Sequence, residues 1–112
     1  AINHLNYIVH ISGASVVITS TWRLNFTVDE LNSIFRKNGF NGKIVGKTNI
    51  LHSRGEEIQE YLDTNDISKY VVIDDQVKDI KTFINNKRIF ECDPKIGLED
   101  NSFIDNIIDL LV

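Results

Sequence analysis

Two short apolar runs in this chain each end abruptly in side chains that can do chemistry. One run, residues 16–18, leads into three hydroxyls and an arginine at residues 19–23. The other, residues 71–73, leads into two adjacent carboxylates, Asp74 and Asp75. In an open parallel α/β sheet, ligands bind just beyond the carboxyl ends of the strands. The two runs therefore predict a phosphate-and-metal site shared between two strand ends.

The acidic pair is the candidate metal site. Two carboxylates at a strand tip repel one another unless a cation or a donor lies between them. Mg²⁺ prefers oxygen ligands of this kind, usually one or two carboxylates with several waters. Alternatively, one of the pair caps a helix that begins near Val77. Asp79 either supports the metal site or is a favourable charge near that helix N-terminus.

The hydroxyl segment is the candidate phosphate site. Thr19, Ser20 and Thr21 are consecutive hydroxyls after a strand, and a turn with free amides beside them can accept phosphoryl oxygens. The alternative is a polar turn in which Trp22 packs on the core and Arg23 forms a surface ion pair.

Two further segments carry charged groups near predicted turns. Arg54 follows Ser53 at a helix start, where a guanidinium and the helix amides together can hold an anion. The alternative is a capped, solvent-facing helix start with an incidental arginine. Asp93 precedes Pro94, which is typical of a turn opener.

The spacing of apolar residues and caps predicts the elements that position these groups. Helical spacing or capping boxes predict helices over residues 2–12, 27–38, 53–62, 77–84 and 103–111. Apolar runs predict strands over residues 15–19, 43–47, 70–73 and 88–91. This alternation predicts an α/β fold with parallel strands, right-handed crossovers and covering helices.

Composition narrows the class of protein. The 112 residues, 42% of them hydrophobic, suffice for one domain with a single modest core. A net charge of -4 argues against a broad basic surface for nucleic acid. A single cysteine and no membrane-length apolar run favour a cytoplasmic protein without membrane contact. Since the first helical pattern is already running at residue 1, we expect a domain truncated at its N-terminus.

In chain order these segments resemble the haloacid dehalogenase (HAD) superfamily of phosphohydrolases. The resemblance is greatest to the HAD domain of Swiss Army knife RNA repair proteins, and it rests on residues 16–23, 44–48, 54–58 and 72–75, with Asp93 and residues 97–98. It implies a Rossmann-like sheet and Mg²⁺-dependent phosphoryl transfer through an aspartyl-phosphate.

The resemblance also implies a role for individual residues. Ser20 or Thr19 would bind the transferring phosphoryl group, and Arg54 would supply the positive charge of the third motif. Asp74, with Asp75, would hold Mg²⁺. Arg23 would contact the substrate phosphate, as would Thr21 beside it.

The chain departs from the family at its first motif. HAD enzymes carry an Asp-x-Asp nucleophile motif on their central strand, and none occurs in these 112 residues. We favour a fragment, or a sequence given without its preceding piece, over a degenerate, non-catalytic member of the superfamily. We therefore expect the core of a phosphohydrolase that acts on a phosphorylated small molecule, a nucleotide or a nucleic-acid phosphate end.

Two other functions stay open. The first is a non-catalytic HAD-like module that binds phosphate, a nucleotide or a protein, which the absent nucleophile favours. The second is a receiver-like signalling domain, in which paired acids also bind Mg²⁺. Receivers place those acids after the first strand, whereas here they follow a late one, so this function ranks last.

Overall fold

A computed structural model describes residues 2–74, 76–91 and 101–112, and at residues 21, 22, 101 and 102 it describes the backbone alone. Helices and strands alternate along these residues, as predicted. The elements are α1 (Ile2–Ser12), β1 (Val16–Ile18), α2 (Val28–Lys37), β2 (Ile44–Lys47), α3 (Arg54–Thr64), β3 (Val72–Asp74), α4 (Ile80–Phe83), β4 (Ile89–Glu91) and α5 (Asn101–Leu111). Short 3-10 turns lie at Thr21–Leu24 and Asn86–Arg88.

The described strands form two parallel pairs. β1 pairs with β2, and Val16 lies opposite Ile44. β3 pairs with β4, and Asp74 lies opposite Glu91. The prediction of an α/β fold with parallel strands is confirmed, but the described strands make two half-sheets of two strands each and are not joined into one.

Each half-sheet has its own apolar core. Ile18 and Ile44 of the first pair are buried against Leu31 of α2 and Phe40. The second pair is covered on both faces, since Val72 packs with residues of α3 and α4 while Val71 and Ile73 pack with α1 and α5. A run that is apolar at every position is what a strand covered on both faces requires.

Helix α1 contacts both cores. Its Ile8 is buried with Ile104 and Ile107 of α5, whereas its Leu5 and Val9 pack against the core of the first half-sheet. Because one helix touches the cores of both half-sheets, α1 joins them.

Local sequence sets two of the helix starts. The capping box predicted at α2 is complete, because Thr27 Oγ1 accepts the Glu30 N–H at 3.2 Å and Glu30 Oε1 accepts the Thr27 N–H at 2.9 Å. At α3 the structure has the Ser53 half of the predicted box, in which Ser53 Oγ accepts the Glu56 N–H at 3.3 Å. Gly39, at φ +94°, lies just beyond α2 in the left-handed region that favours glycine.

Helix α4 is shorter than predicted. The apolar spacing of Val77, Ile80 and Ile84 predicts about two turns, but the helix spans only Ile80–Phe83. All three apolar side chains are nevertheless buried. Their burial therefore comes from a single helical turn with extended backbone after it, where Ile84 has φ -112° and ψ 143°. Among the described helices, none combines the length and apolar character needed to cross a membrane.

Candidate functional site

A cavity of about 900 Å³ lies between the two half-sheets. Its walls include the whole of residues 15–20, around β1, and the whole of residues 69–74, around β3. Leu5 and Val9 of α1 and Arg54 at the start of α3 also line it. The cavity therefore brings together residues from both chemically capable segments.

The predicted cation and the predicted metal ligand meet in this cavity. Arg54 Nη1 donates to Asp74 Oδ1 at 3.0 Å and to Asp74 Oδ2 at 2.8 Å. The Asp74 side chain is 6% exposed and that of Arg54 is 25% exposed. The Gln76 N–H donates to Asp74 Oδ1 at 2.9 Å, so this carboxylate has donors from two directions.

The start of α3 is held against α4, and this fixes Arg54. Asp79 Oδ2 accepts the backbone N–H of Arg54 at 3.0 Å. A Cβ at Gly55 would lie 2.8 Å from the Asp79 carbonyl oxygen, so only glycine permits this approach of the two helices. The Asp79 carboxylate thus lies at the start of α3 and directly before α4, and its predicted support of the metal site stays a prediction.

Three of the amides at the start of α3 already have partners within the protein, so these three are not available to an anion. Asp79 accepts the Arg54 N–H, Ser53 Oγ accepts the Glu56 N–H, and the Ser53 carbonyl accepts the Glu57 N–H at 3.1 Å. An amide that is bonded inside the protein cannot also donate to a phosphate. The Arg54 guanidinium is the charged group of this segment that lines the cavity.

The hydroxyl segment borders the same cavity. Thr19 and Ser20 line it, directly after β1. The side chains of Thr21 and Trp22 lie outside the described part of the chain, so their predicted roles stay predictions. The structure thus places the two hydroxyls, Arg54 and Asp74 around one space, which the rule for strand ends predicts.

Arg23 makes a buried ion pair. Its Nη2 lies 2.8 Å from Glu57 Oε2, and each of the two side chains is 7% exposed. The alternative of a surface ion pair was therefore wrong about its location. Arg23 Nη1 donates to the carbonyl oxygens of Thr19 at 2.7 Å and Ser20 at 2.9 Å. A direct contact between Arg23 and substrate phosphate stays a prediction.

Three residues near the site belong to segments that carry the resemblance but were given no role by the sequence reasoning. Glu57 pairs with Arg23, and Lys47 Nζ donates to the carbonyl oxygen of Arg23 at 3.0 Å. Thr48 is buried, borders the cavity and has no hydrogen-bond partner for its hydroxyl among the described residues. A charged residue in a helix or after a strand is ordinary in sequence, so only the position of Lys47 and Thr48 at a strand end was a usable signal.

The described residues supply one carboxylate for a metal ion. No cluster of three or more histidine, cysteine, aspartate or glutamate residues occurs in residues 2–74, 76–91 and 101–112. Mg²⁺ beside a phosphate commonly takes one or two carboxylates and completes its shell with waters and phosphate oxygens. Asp74, an oxygen donor on a cavity wall, fits that pattern as one ligand. Asp75 and Asp93 lie outside the described residues.

Comparison with known proteins identifies a family. The family model described as "HAD domain in Swiss Army Knife RNA repair proteins" matches residues 1–103. Neither a curated protein nor a solved structure matches the chain.

Proposed function

Because the chain belongs to the family of HAD domains found in Swiss Army Knife RNA repair proteins, we propose that it is the core of a Mg²⁺-dependent phosphohydrolase. The observation that carries this proposal is the meeting of Ser20, Arg54 and Asp74 around one cavity. A hydroxyl, a guanidinium and a carboxylate are the groups that phosphoryl transfer needs for positioning and charge neutralisation.

Each group has a role that its surroundings support. The Ser20 or Thr19 hydroxyl donates to a phosphoryl oxygen from the end of β1. Arg54 neutralises charge on the phosphoryl group, and its 25% exposure leaves part of the guanidinium accessible. Asp74, together with Asp75, holds Mg²⁺, which when bound supplies charge neutralisation of the phosphate. The Arg54–Asp74 contact places the two roles within one hydrogen bond of each other.

We further propose that a central strand completes the sheet. Each of β1 and β3 pairs with only one described strand, and residues flanking both line the cavity between the half-sheets. A parallel strand between them would give a Rossmann-like sheet flanked by helices. α1, which lines this cavity and leads into β1, would be its crossover to β1. In a phosphohydrolase of this family that strand would carry the Asp-x-Asp nucleophile beside Ser20 and Asp74.

The proposed substrate is a phosphate end of a nucleotide or a nucleic acid. The description of the family names RNA repair proteins. A net charge of -4 disfavours binding along a nucleic-acid backbone, so recognition of a terminal phosphate is the better fit. We propose that the 112 residues act as one domain in the cytoplasm.

A second function is a non-catalytic module that binds a phosphate, a nucleotide or a protein through the same cavity. The absence of Asp-x-Asp from these 112 residues favours it. When it binds a phosphate or a nucleotide, this module uses Ser20 and Arg54 for the anion as the phosphohydrolase does, and the two functions then differ only in whether a bond is broken.

The test is hydrolysis of p-nitrophenyl phosphate and of 5′- and 3′-phosphorylated oligonucleotides with Mg²⁺, using the complete natural gene product. We expect Ser20→Ala and Asp74→Asn to lower kcat/KM by about 100-fold each, as loss of preorganised charge stabilisation does. Ser33→Ala and Asp105→Asn are matched controls, because both residues are exposed and lie away from the cavity.

The outcomes separate the two functions. Phosphate-dependent shifts of Ser20 and Arg54 resonances without hydrolysis would favour the binding module. A folded gene product that neither hydrolyses nor binds these phosphates would refute both.

A further inference from the structure

Arg23 contacts the backbone of the hydroxyl segment. Thr19 and Ser20 line the cavity, whereas Arg23 does not. Its guanidinium instead donates to the carbonyl oxygens of these two residues at 2.7 and 2.9 Å. It also forms an ion pair with Glu57 at 2.8 Å. Two of these bonds hold the carbonyls of two successive peptide units, and the third holds the guanidinium to Glu57.

The direction of those carbonyls sets the direction of the amides. In a planar trans peptide, the C=O and N–H bonds point in opposite directions. The carbonyl of Thr19 belongs to the same peptide unit as the N–H of Ser20, and the carbonyl of Ser20 to the same unit as the N–H of Thr21. Because Arg23 draws both carbonyls to one side, both N–H groups face the other side. Successive amides turned the same way form an anion-binding concavity.

We propose that Arg23 and Glu57 are a positioning pair, which turns the amides of Ser20 and Thr21 toward a bound anion and removes the adjacent carbonyl dipoles from it. In its anion-binding part this inference rests on the proposed function. In this proposal Arg23 acts through the backbone as a positioning residue, in place of the predicted direct contact with substrate phosphate.

Glu57 anchors the arginine from a separate element. It lies in the first turn of α3, and its Oε2 also accepts the Leu51 N–H at 2.9 Å. On the other side, Lys47 Nζ donates to the carbonyl oxygens of Arg23 at 3.0 Å and Phe26 at 3.1 Å. The hydroxyl segment is thereby tied to β2 and α3, the element that also presents Arg54.

The role of Arg23 and Glu57 can be tested by whether removal of the Glu57 charge strengthens or weakens anion binding. Removing a negative charge near an anion site strengthens anion binding if charge alone matters. If Glu57 acts by holding Arg23, its neutralisation releases the guanidinium and the two peptide units, and anion binding weakens. The two explanations predict opposite changes in Kd.

The first experiment measures the Kd of inorganic phosphate for the 112-residue chain by ¹H–¹⁵N NMR titration. We expect Glu57→Gln to weaken binding by about tenfold, the effect of losing one well-oriented donor. Glu60→Gln is the control, because Glu60 lies one turn further along α3 and bonds only the Asn49 side chain among the described contacts. It removes the same charge, so we expect unchanged or slightly tighter binding.

The second experiment needs no ligand. Arg23→Lys keeps the charge but loses the fork that bonds two carbonyls and a carboxylate together. We expect it to shift the amide resonances of Ser20 and Thr21 and to lower the backbone order parameters of both residues, because the two peptide units are released. Arg36→Lys, on the exposed surface of α2, is the matched control and leaves both amides unchanged.

The two experiments fail in distinguishable ways. If neither wild type nor Ser20→Ala binds phosphate, the proposed function fails. The positioning inference is then still tested by the amide resonances of Ser20 and Thr21 in Arg23→Lys. Folded Glu57→Gln that binds phosphate as tightly as wild type, or unchanged Ser20 and Thr21 amides in Arg23→Lys, would overturn the positioning pair.

Discussion

Two arginine–carboxylate pairs lie near the cavity, and their surroundings differ. Arg23 and Glu57 are each 7% exposed, whereas Arg54 is 25% exposed against a 6% exposed Asp74. The distance between nitrogen and oxygen is 2.8 Å in both pairs. The nitrogen–oxygen distance alone therefore does not distinguish the two pairs.

The difference is in what each arginine can still reach. Arg23 is enclosed and bonded to two backbone carbonyls as well as to Glu57, and it does not line the cavity. Among the described residues, the Arg54 side chain bonds Asp74 alone, and it lines the cavity. An enclosed pair stabilises the fold it is built into, whereas a pair on a cavity wall can exchange partners with a ligand.

The largest expected effect is on stability when the enclosed pair is broken. Glu57→Ala leaves a buried guanidinium without its counter-charge and should lower the free energy of unfolding by about 3–5 kcal/mol. Urea denaturation followed by circular dichroism measures the change. Glu60→Ala, on the same helix, should cost no more than about 0.5 kcal/mol. Equal costs for the two variants would remove the distinction between the pairs.

A smaller cost is expected at the pair on the cavity wall. Asp74→Asn removes the charge but keeps an oxygen for the Gln76 N–H, and water can reach the released Arg54. The free energy of unfolding should fall by about 1–2 kcal/mol, the range for a hydrogen bond to a charged group. Asp105→Asn on α5 is the control, and a cost for Asp74→Asn as large as that of Glu57→Ala would contradict the comparison.

The smallest effect is the response to salt. At about 1 M salt the screening length is about 3 Å, so exposed charges are screened and enclosed ones much less. The cost of Asp74→Asn should shrink by about 0.3 kcal/mol, a fraction of what exposed pairs contribute, while the cost of Glu57→Ala stays constant. Urea titrations at low salt and at about 1 M salt check this. A larger change in the cost of Glu57→Ala than in that of Asp74→Asn would show that Arg54 is the better shielded group.

Much of the fold could be predicted because its determinants are local. The complete capping box at Thr27 and Glu30, the glycine after α2 and the apolar runs of β1 and β3 depend on neighbours in sequence. The strand-end rule also predicted that Ser20, Arg54 and Asp74 would lie around one space. What each of them does there stays a prediction.

The rest depends on tertiary partners that sequence spacing does not encode. The alternative for Arg23 placed its ion pair at the surface, because nothing in its segment reveals Glu57, which approaches from a different helix. α4 is one turn long because burial of Val77 and Ile84 is achieved without helical backbone at those positions. The separation into two half-sheets depends on which strand edges meet, and that cannot be read from the strands one at a time.

The separation of the half-sheets has a practical consequence for anyone preparing these 112 residues by themselves. In the described part of the chain, β1 and β3 each pair along one side only. Unpaired strand sides are templates on which further polypeptide adds, so concentrated solutions of this chain should self-associate. The monomeric fraction of the chain should therefore fall as concentration rises, and it should increase when a short extended peptide occupies the space between β1 and β3.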